Sequence, residues 1–243
     1  YDNWTLAGGG GDEIGDRVGI GFMASSPSVP ASDMTGNVIE RNRVHGNGTY
    51  GKVRDSAVVA YVTSGTEVRY NQIYDNRQGA FYFAWSDNSR FYYNLVYGNR
   101  ATNARHVALI GNTGLSVLNN TIYGNSIEAT ANDIYYCNYR LVAVDSPTNG
   151  AVVKNNIIAG NRMTSATSYP VYLLWLANDT AIGGTDHNLY YDNLSLDRYG
   201  AAAPLWRGGP AQVVSGYGTP AIQCQATNQY PTLNDWRLTG ADT

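Results

Sequence analysis

Charge is scarce in this sequence, and lysine is scarcest of all. Of the 243 residues only 14% are charged, two are lysines (Lys52 and Lys154), and the formal net charge is −3. No basic run or RNA-binding signature occurs, so we expect no nucleic-acid partner. No apolar run approaches the roughly 20 residues that a membrane-spanning helix requires, so we expect no membrane span.

Cysteine is also rare, with Cys137 and Cys224 as the two examples. They can form a disulfide in an oxidising compartment, and two buried free thiols fit the sequence equally well. By contrast Tyr (20) and Gly (27) are abundant, and small polar residues recur throughout. This composition is typical of an all-β extracellular protein, and we expect a secreted or cell-surface location.

Helical periodicity is absent, which excludes a helical solenoid. What repeats instead is the pattern Asn-x-Φ-x-x-Asn, in which Φ is apolar or aromatic. It occurs at Asn42–Asn47, Asn71–Asn76, Asn94–Asn99, Asn120–Asn125, Asn156–Asn161 and Asn188–Asn193. The first asparagines are 23 to 36 residues apart, which predicts a repeated unit that accepts insertions.

Short apolar runs precede most copies of the repeat. They are AVVAYV (Ala57–Val62), AFYFAW (Ala80–Trp85), HVALI (His106–Ile110), LVAV (Leu141–Val144) and VYLLWL (Val171–Leu176). One unit therefore contains a strand, a turn, a second strand, an Asn corner, a short strand, a second Asn corner and a loop. Units this short fit a coil whose rungs stack at the ~4.8 Å spacing of paired strands. The sequence predicts an all-β, single-stranded solenoid of about seven to eight rungs.

The first asparagine of each copy is predicted to occupy the same corner in every rung. The predicted ladder contains Asn42, Asn71, Asn94, Asn120, Asn156 and Asn188. Asparagine tolerates the left-handed backbone of a sharp corner, and its amide can donate to one neighbouring rung and accept from the other. Strand alternation buries Φ and turns the next residue outward. Tyr74, Tyr97 and Tyr123 should therefore form one outward column, which either binds sugars or packs across rungs.

The runs VRYNQIYDN, YYNLVYGN, LNNTIYGN, VKNNIIAGN and DHNLYYDN resemble the repeats of right-handed parallel β-helices in the pectate-lyase-like superfamily. The likeness covers roughly residues 18–193, and YPTLNDWRLTG (Tyr230–Gly240) is similar to the closing segment of secreted members. The expected organisation is a single β-helix domain over residues 1–243. It has an irregular N-terminal segment at 1–16, stacked rungs at 17–193 and an irregular or capping segment at 194–243.

The resemblance implies no single activity, because the superfamily includes polysaccharide lyases, glycoside hydrolases, uronate epimerases, adhesins and proteins with no known activity. The NTD, DD, GHG and RIK motifs of β-helix hydrolases do not occur, nor do signatures like WIDH of pectate lyases or DPH of the epimerases. Resemblance to lyases implies a basic residue beside an acidic sugar, often with Ca²⁺. The sequence itself indicates no cofactor and no metal site.

Candidate bases are His106, Lys52 and Arg105, although His106 opens an apolar strand and a packing role is the alternative.

Arginines follow the second asparagine of several repeats. Arg54, Arg77 and Arg100, with Arg105 nearby, are expected side by side along one edge, as a cationic site for an acidic glycan. The alternative is that they cover aromatic rings or pair with acids. The function expected from these features is binding or processing of an extracellular, acidic polysaccharide. A different class remains open, a non-catalytic filament, stalk or adhesin subunit that self-associates through β-helix stacking.

Overall fold

The structure is a computed structural model that describes residues 19–23, 34–48, 56–102, 105–110, 113–130, 140–145, 150–166, 172–176, 182–196, 199, 206–207 and 229–230. These residues form 24 β-strands, numbered β1 to β24 along the chain, and contain no helix. The strands belong to four sheets, called sheets 1 to 4 in the order in which one turn of the chain visits them.

Sheet 1 contains the longest strands and the predicted apolar runs. In order of stacking it contains β1 (Ile20–Met23), β4 (Ser56–Ser64), β7 (Gly79–Asp87), β11 (Arg105–Ile110), β15 (Arg140–Asp145), β19 (Tyr172–Leu176), β23 (Trp206–Arg207) and β24 (Gln229–Tyr230). Neighbours pair in parallel except β23 and β24, which are antiparallel. The parallel part of the sheet thus represents seven successive turns, within the range predicted from the repeat.

Sheets 2 and 3 are built from short strands, most of them of three residues. Sheet 2 contains β2 (Val38–Glu40), β5 (Glu67–Arg69), β8 (Arg90–Tyr92), β12 (Ser116–Leu118), β16 (Ala151–Lys154) and β20 (Ile182–Asp186). Sheet 3 contains β3 (Arg43–His45), β6 (Gln72–Tyr74), β9 (Leu95–Tyr97), β13 (Thr121–Tyr123), β17 (Ile157–Ala159) and β21 (Leu189–Tyr191). Each strand pairs in parallel with its equivalent in the next turn, so the prediction of an all-β parallel β-helix is confirmed.

Sheet 4 lies where a loop was predicted after the second asparagine of the repeat. It contains β10 (Arg100–Thr102), β14 (Ser126–Ala129), β18 (Arg162–Ser165) and β22 (Leu194–Leu196). The loop prediction was wrong in these turns because the residues after the asparagine alternate outward and inward like the other short strands. Strands β22 and β23 also continue the stack beyond residue 193, where the sequence predicted its end.

The interior is filled by columns of apolar side chains, one from each turn. In sheet 3 the middle residue of the strand is the buried one, as in Val44, Ile73, Val96, Ile122 and Ile158. Aromatic rings pack inside as well, with the Phe81 centroid 4.1 Å from that of Phe91. Each fully buried side chain of this size contributes about 1.5–3 kcal/mol, and a β-helix obtains such a contribution from every turn.

Two asparagine ladders run along the edges of sheet 3. The Nδ2 group of Asn94 donates to Oδ1 of Asn120 in the next turn (3.2 Å) and to the Val68 carbonyl of the preceding turn (2.8 Å). It also donates to the carbonyl of Tyr92 in the same turn (3.1 Å). The Asn94 backbone N–H donates to the same Oδ1 (2.9 Å). This pattern links Asn42, Asn71, Asn94, Asn120, Asn156 and Asn188, and a second ladder links Asn47, Asn76, Asn99, Asn125, Asn161 and Asn193. The predicted asparagine ladder is confirmed.

The left-handed backbone at these corners belongs to a different residue from the one predicted. It is the residue before each ladder asparagine that has positive φ, as in Tyr93 (53°) before the first ladder and Gly98 (62°) before the second. The preceding residue turns the chain, which leaves the asparagine free to direct its amide along the stack. The asparagine is therefore required for its side-chain hydrogen bonds rather than for backbone tolerance.

Replacing an interior ladder asparagine should cost much more stability than replacing a terminal one. Asn120→Ala removes the acceptor of the Asn94 N–H and the donor to the Phe91 carbonyl, both buried. We expect the free energy of unfolding to fall by roughly 2–4 kcal/mol. Asn42→Ala is the matched control at the ladder end, and we expect a loss of about 1 kcal/mol or less. Equal losses in urea unfolding would contradict a cooperative ladder.

Candidate functional site

A stack of aromatic rings stands on the outer face of sheet 3. The ring centroids of His45 and Tyr74 are 4.9 Å apart, those of Tyr74 and Tyr97 are 4.9 Å apart, and those of Tyr97 and Tyr123 are 5.3 Å apart. The tyrosine rings are nearly parallel, with interplanar angles of 9° and 4°. The structure thus places Tyr74, Tyr97 and Tyr123 together in the outward column that strand alternation indicates, which we call the tyrosine column.

Rings inside the tyrosine column cannot offer their faces to a ligand. At centroid distances near 5 Å the faces of Tyr74 and Tyr97 cover one another, so each exposes only its edge and hydroxyl. Burial, and then the neighbouring Tyr74 and Tyr123, raise the pKa of Tyr97. The inner rings can therefore hydrogen-bond to a sugar at their hydroxyls, whereas stacking on a sugar requires a ring at the end of a stack.

Exposed arginines stand around the next corner from the tyrosine column. Arg77 and Arg100 occupy equivalent positions in successive turns. The backbone N–H of Arg100 donates to the carbonyl of Asn76 (2.8 Å), the residue that directly precedes Arg77. In sheet 4 the position is then taken by Ser126 and by exposed Arg162. The expected proximity of Arg77 and Arg100 is thus observed in the backbone register, and Arg162 lies further along the same edge.

The corner between the tyrosines and the arginines presents no outward side chain in the middle turns, because its ladder asparagines are buried. It is formed by Gly98, Gly124 and Gly160, whose φ values lie between 61° and 62°. A Cβ atom added at Gly98 or Gly124 would meet nothing within 4 Å. We call these three residues the glycine ridge. An extended ligand lying on the ridge would reach tyrosine hydroxyls on one side and guanidinium groups on the other.

A separate charged cluster covers part of sheet 2 and was missed in the sequence. Arg69 contacts Glu40 (2.8 Å), Glu67 (2.7 Å) and the Tyr92 hydroxyl (2.9 Å), and that hydroxyl donates to Glu67 (2.8 Å). The hydrogen bond to Tyr92, then that to Glu40, raises the pKa of Arg69, while burial raises the pKa of Tyr92. Glu40 and Arg69 occupy equivalent positions in successive turns of sheet 2. This pairing could have predicted the cluster, but it becomes apparent only when the register of the strands is known. Because these charges satisfy one another, the cluster is structural.

His106 does not fit a catalytic base. Its side chain is fully buried, and Nε2 lies 2.9 Å from the Ser126 carbonyl oxygen. Burial lowers the pKa of His106 to about 4, although the hydrogen bond to Ser126 opposes the shift. A base must reach its substrate, so the burial of His106 favours a packing role over the role of a base.

Several other predicted residues lie where the structure gives no test. Lys52, Arg54, Cys137 and Cys224 are outside the described residues. Arg105 begins β11, but only its backbone is described. Their proposed roles as base, ligand contacts or disulfide therefore remain predictions.

Two further features are absent from the part of the chain that the structure describes. There, no group of three or more His, Cys, Asp or Glu side chains is arranged to hold a metal ion. No helix of the length and hydrophobicity needed to cross a membrane is found in the same residues.

Comparison with known proteins identifies the architecture. Residues 17–132 match the family model for a right-handed β-helix region. Together with the stacked parallel sheets, this match shows that the chain is a right-handed parallel β-helix repeat protein. No curated protein and no solved structure matches the chain.

Burial of neutral His106 should make stability depend on pH. Because its pKa in the folded chain, about 4, lies below the ordinary value of about 6.5, the unfolded chain binds more protons between these pH values. We expect the free energy of unfolding to fall as the pH falls through this window, by on the order of 3 kcal/mol from this residue. His106→Gln should remove that part of the slope in urea unfolding at pH 7, 5.5 and 4.5. Identical slopes for the two proteins would contradict the assignment.

Proposed function

We propose that this chain is a secreted protein that binds an acidic polysaccharide along the glycine ridge. The observation that carries the proposal is the position of Arg100 and Arg162, both exposed on sheet 4 beside the ridge. The tyrosine column, with its hydroxyls, stands on the other side. The β-helix repeats these groups along its axis, which suits a ligand that is itself a repeating chain.

The electrostatics of sheet 4 support an anionic ligand. Neither Arg100 nor Arg162 forms an ion pair with a carboxylate of the described residues. They flank Ser126 in the parallel register, so their backbones are about 10 Å apart, or two strand spacings. Glu128 is exposed on the same sheet and makes it less positive without pairing with either arginine. A guanidinium group binds carboxylates through two parallel hydrogen bonds, which favours uronate units over neutral sugars.

Binding is proposed here without cleavage. Elimination or hydrolysis requires an acid or base within hydrogen-bond reach of the reacting sugar, and His106, the one candidate base whose side chain is described, is buried. The motifs of β-helix hydrolases, pectate lyases and epimerases are likewise missing from the sequence. These observations support a carbohydrate-binding role over a lyase-like or hydrolase-like one.

Assembly into an end-to-end filament is less well supported. At one end of sheet 1, β24 pairs with β23 in the antiparallel direction. A second molecule cannot continue parallel pairing directly on a strand that already carries an antiparallel neighbour, so β24 obstructs stacking through sheet 1 there. Self-association by another surface stays a testable outcome rather than the proposed function.

Removing both sheet 4 arginines should weaken binding to an acidic polymer. The test measures retention on polygalacturonate, alginate and hyaluronate at low salt and at 0.5–1 M added salt. We expect the wild type to bind at least one polymer in a salt-dependent way, because exposed charges are screened over about 8–10 Å at physiological ionic strength. The double variant Arg100→Ala/Arg162→Ala should bind about tenfold more weakly, corresponding to about 1.4 kcal/mol.

Arg90→Ala is the matched control, because Arg90 is an exposed arginine on sheet 2, away from the ridge. Its affinity should stay within about twofold of the wild type, well below a 1.4 kcal/mol change. The proposal fails if no acidic polymer is retained at low salt. It also fails if Arg90→Ala weakens binding as much as the double variant, since the effect would then be one of net charge.

A further inference from the structure

The tyrosine column is interrupted at one turn, and the interruption has the form of a slot. After Tyr123 the equivalent position is Ala159, and after Ala159 it is Tyr191. We propose that this slot is a subsite for a single pyranose ring, held between the faces of Tyr123 and Tyr191 with Ala159 as its floor. The inference rests on the proposed polysaccharide-binding function and specifies where one sugar unit is gripped.

The spacing of the slot matches one inserted ring. Filled positions of the column have centroids 4.9 and 5.3 Å apart. Two strand spacings separate Tyr123 from Tyr191 in the backbone, or about 10 Å. A ring midway between them would lie about 5 Å from each tyrosine, the separation at which rings in this column already stack.

The two tyrosines that border the slot are also the ones with uncovered faces. Tyr123 has 42% of its surface exposed and Tyr191 has 71%, whereas Tyr74 and Tyr97 are covered by neighbours on both sides. Tyr123 stacks on Tyr97 with one face, and the small Ala159 side chain leaves its other face open. The slot therefore supplies the free ring faces that the inner part of the column lacks.

The surroundings of the slot match the two chemical sides of a uronate. On one side Ile157 and Leu189, exposed by 43% and 56%, present apolar surface in the same strands as Ala159 and Tyr191. On the other side Gly160 of the glycine ridge and the buried Asn161 separate Ala159 from exposed Arg162, and the exposed carboxylate of Asp192 follows Tyr191. The C–H groups of a pyranose fit the apolar side and the ring faces. Its carboxylate would point toward Arg162, in the same turn as the slot floor.

A sugar fits this slot better than an aromatic side chain of a second copy. Either group can lie between two rings, but an aromatic side chain brings no anion for Arg162. The glycine ridge beside the slot also leaves a lateral path, along which the polymer can continue on both sides of the gripped unit.

Filling the slot provides the test. Ala159→Tyr extends the existing stack from Tyr123 to Tyr191, so we expect the melting temperature to stay the same or rise. The affinity for hexasaccharides prepared from polygalacturonate, alginate and hyaluronate should fall about tenfold, as two lost ring contacts predict. Ala159→Ser is the matched control, and we expect its affinity to equal that of the wild type.

A direct readout uses chains with ¹³C-labelled tyrosine rings. On addition of the bound hexasaccharide, the ring signals of Tyr123 and Tyr191 should shift, with each signal assigned from its Tyr→Phe variant. Should Ala159→Tyr fail to fold, Tyr191→Ala serves in its place, because Tyr191 lies at the exposed end of the column. We expect that variant to lose affinity while keeping the melting temperature.

The outcomes separate this subsite from the proposed function. If Ala159→Tyr binds like the wild type while Arg100→Ala/Arg162→Ala does not, the slot is wrong and the polysaccharide-binding function stands. If the wild type binds no acidic polymer, both are wrong. If the wild type self-associates and Ala159→Tyr is monomeric, the slot holds a second copy and the subsite is overturned.

Discussion

The hydrogen bonds of the asparagine ladders are the constraint on which the rest of this structure depends. Each interior asparagine uses its amide to satisfy the next asparagine and a carbonyl of the preceding turn, at distances of 2.8–3.2 Å. Buried polar groups are costly when unpaired, so a ladder is stable only if every turn supplies the same residue at the same corner. Two such ladders, one at each edge of sheet 3, fix the register of successive turns in spite of insertions elsewhere.

The same register determines the surface. Because equivalent residues stack, one substitution in a turn of 23 to 36 residues changes one place in a continuous column. Where tyrosine occurs in three successive turns, the rings cover one another's faces. Where alanine follows in the next turn, a gap is left in the column. At the corner between sheets 3 and 4, glycine takes the place of a residue whose side chain would stand between the tyrosines and the arginines. The proposed ligand contacts are therefore properties of columns rather than of a single loop.

The sequence predicts much of the fold because the ladders impose a visible pattern. Spacing of the asparagines predicts the turns, and alternation within Asn-x-Φ-x-x-Asn predicts both the buried Φ column and the outward tyrosines. Sheet 4 was not predicted, since its strands have no repeated residue to mark them. The positive-φ corner residues were also missed, because Arg41, Asp75 and Tyr93 share a backbone conformation but no side-chain chemistry. The Arg69 cluster and the burial of His106 depend on contacts between turns, which the pattern does not encode.

Amide hydrogen exchange tests the central claim most directly, that the asparagine ladders hold the turns in register. The backbone N–H groups of Asn71, Asn94 and Asn120 each donate to a side-chain oxygen rather than to a strand carbonyl. The account predicts that these amides, and the side-chain amides of the same residues, exchange as slowly as the core strand amides of Phe83 and Ile122. Exchange at the rate of an unstructured peptide, with the core strands still protected, would show that the ladders are not what holds the turns together.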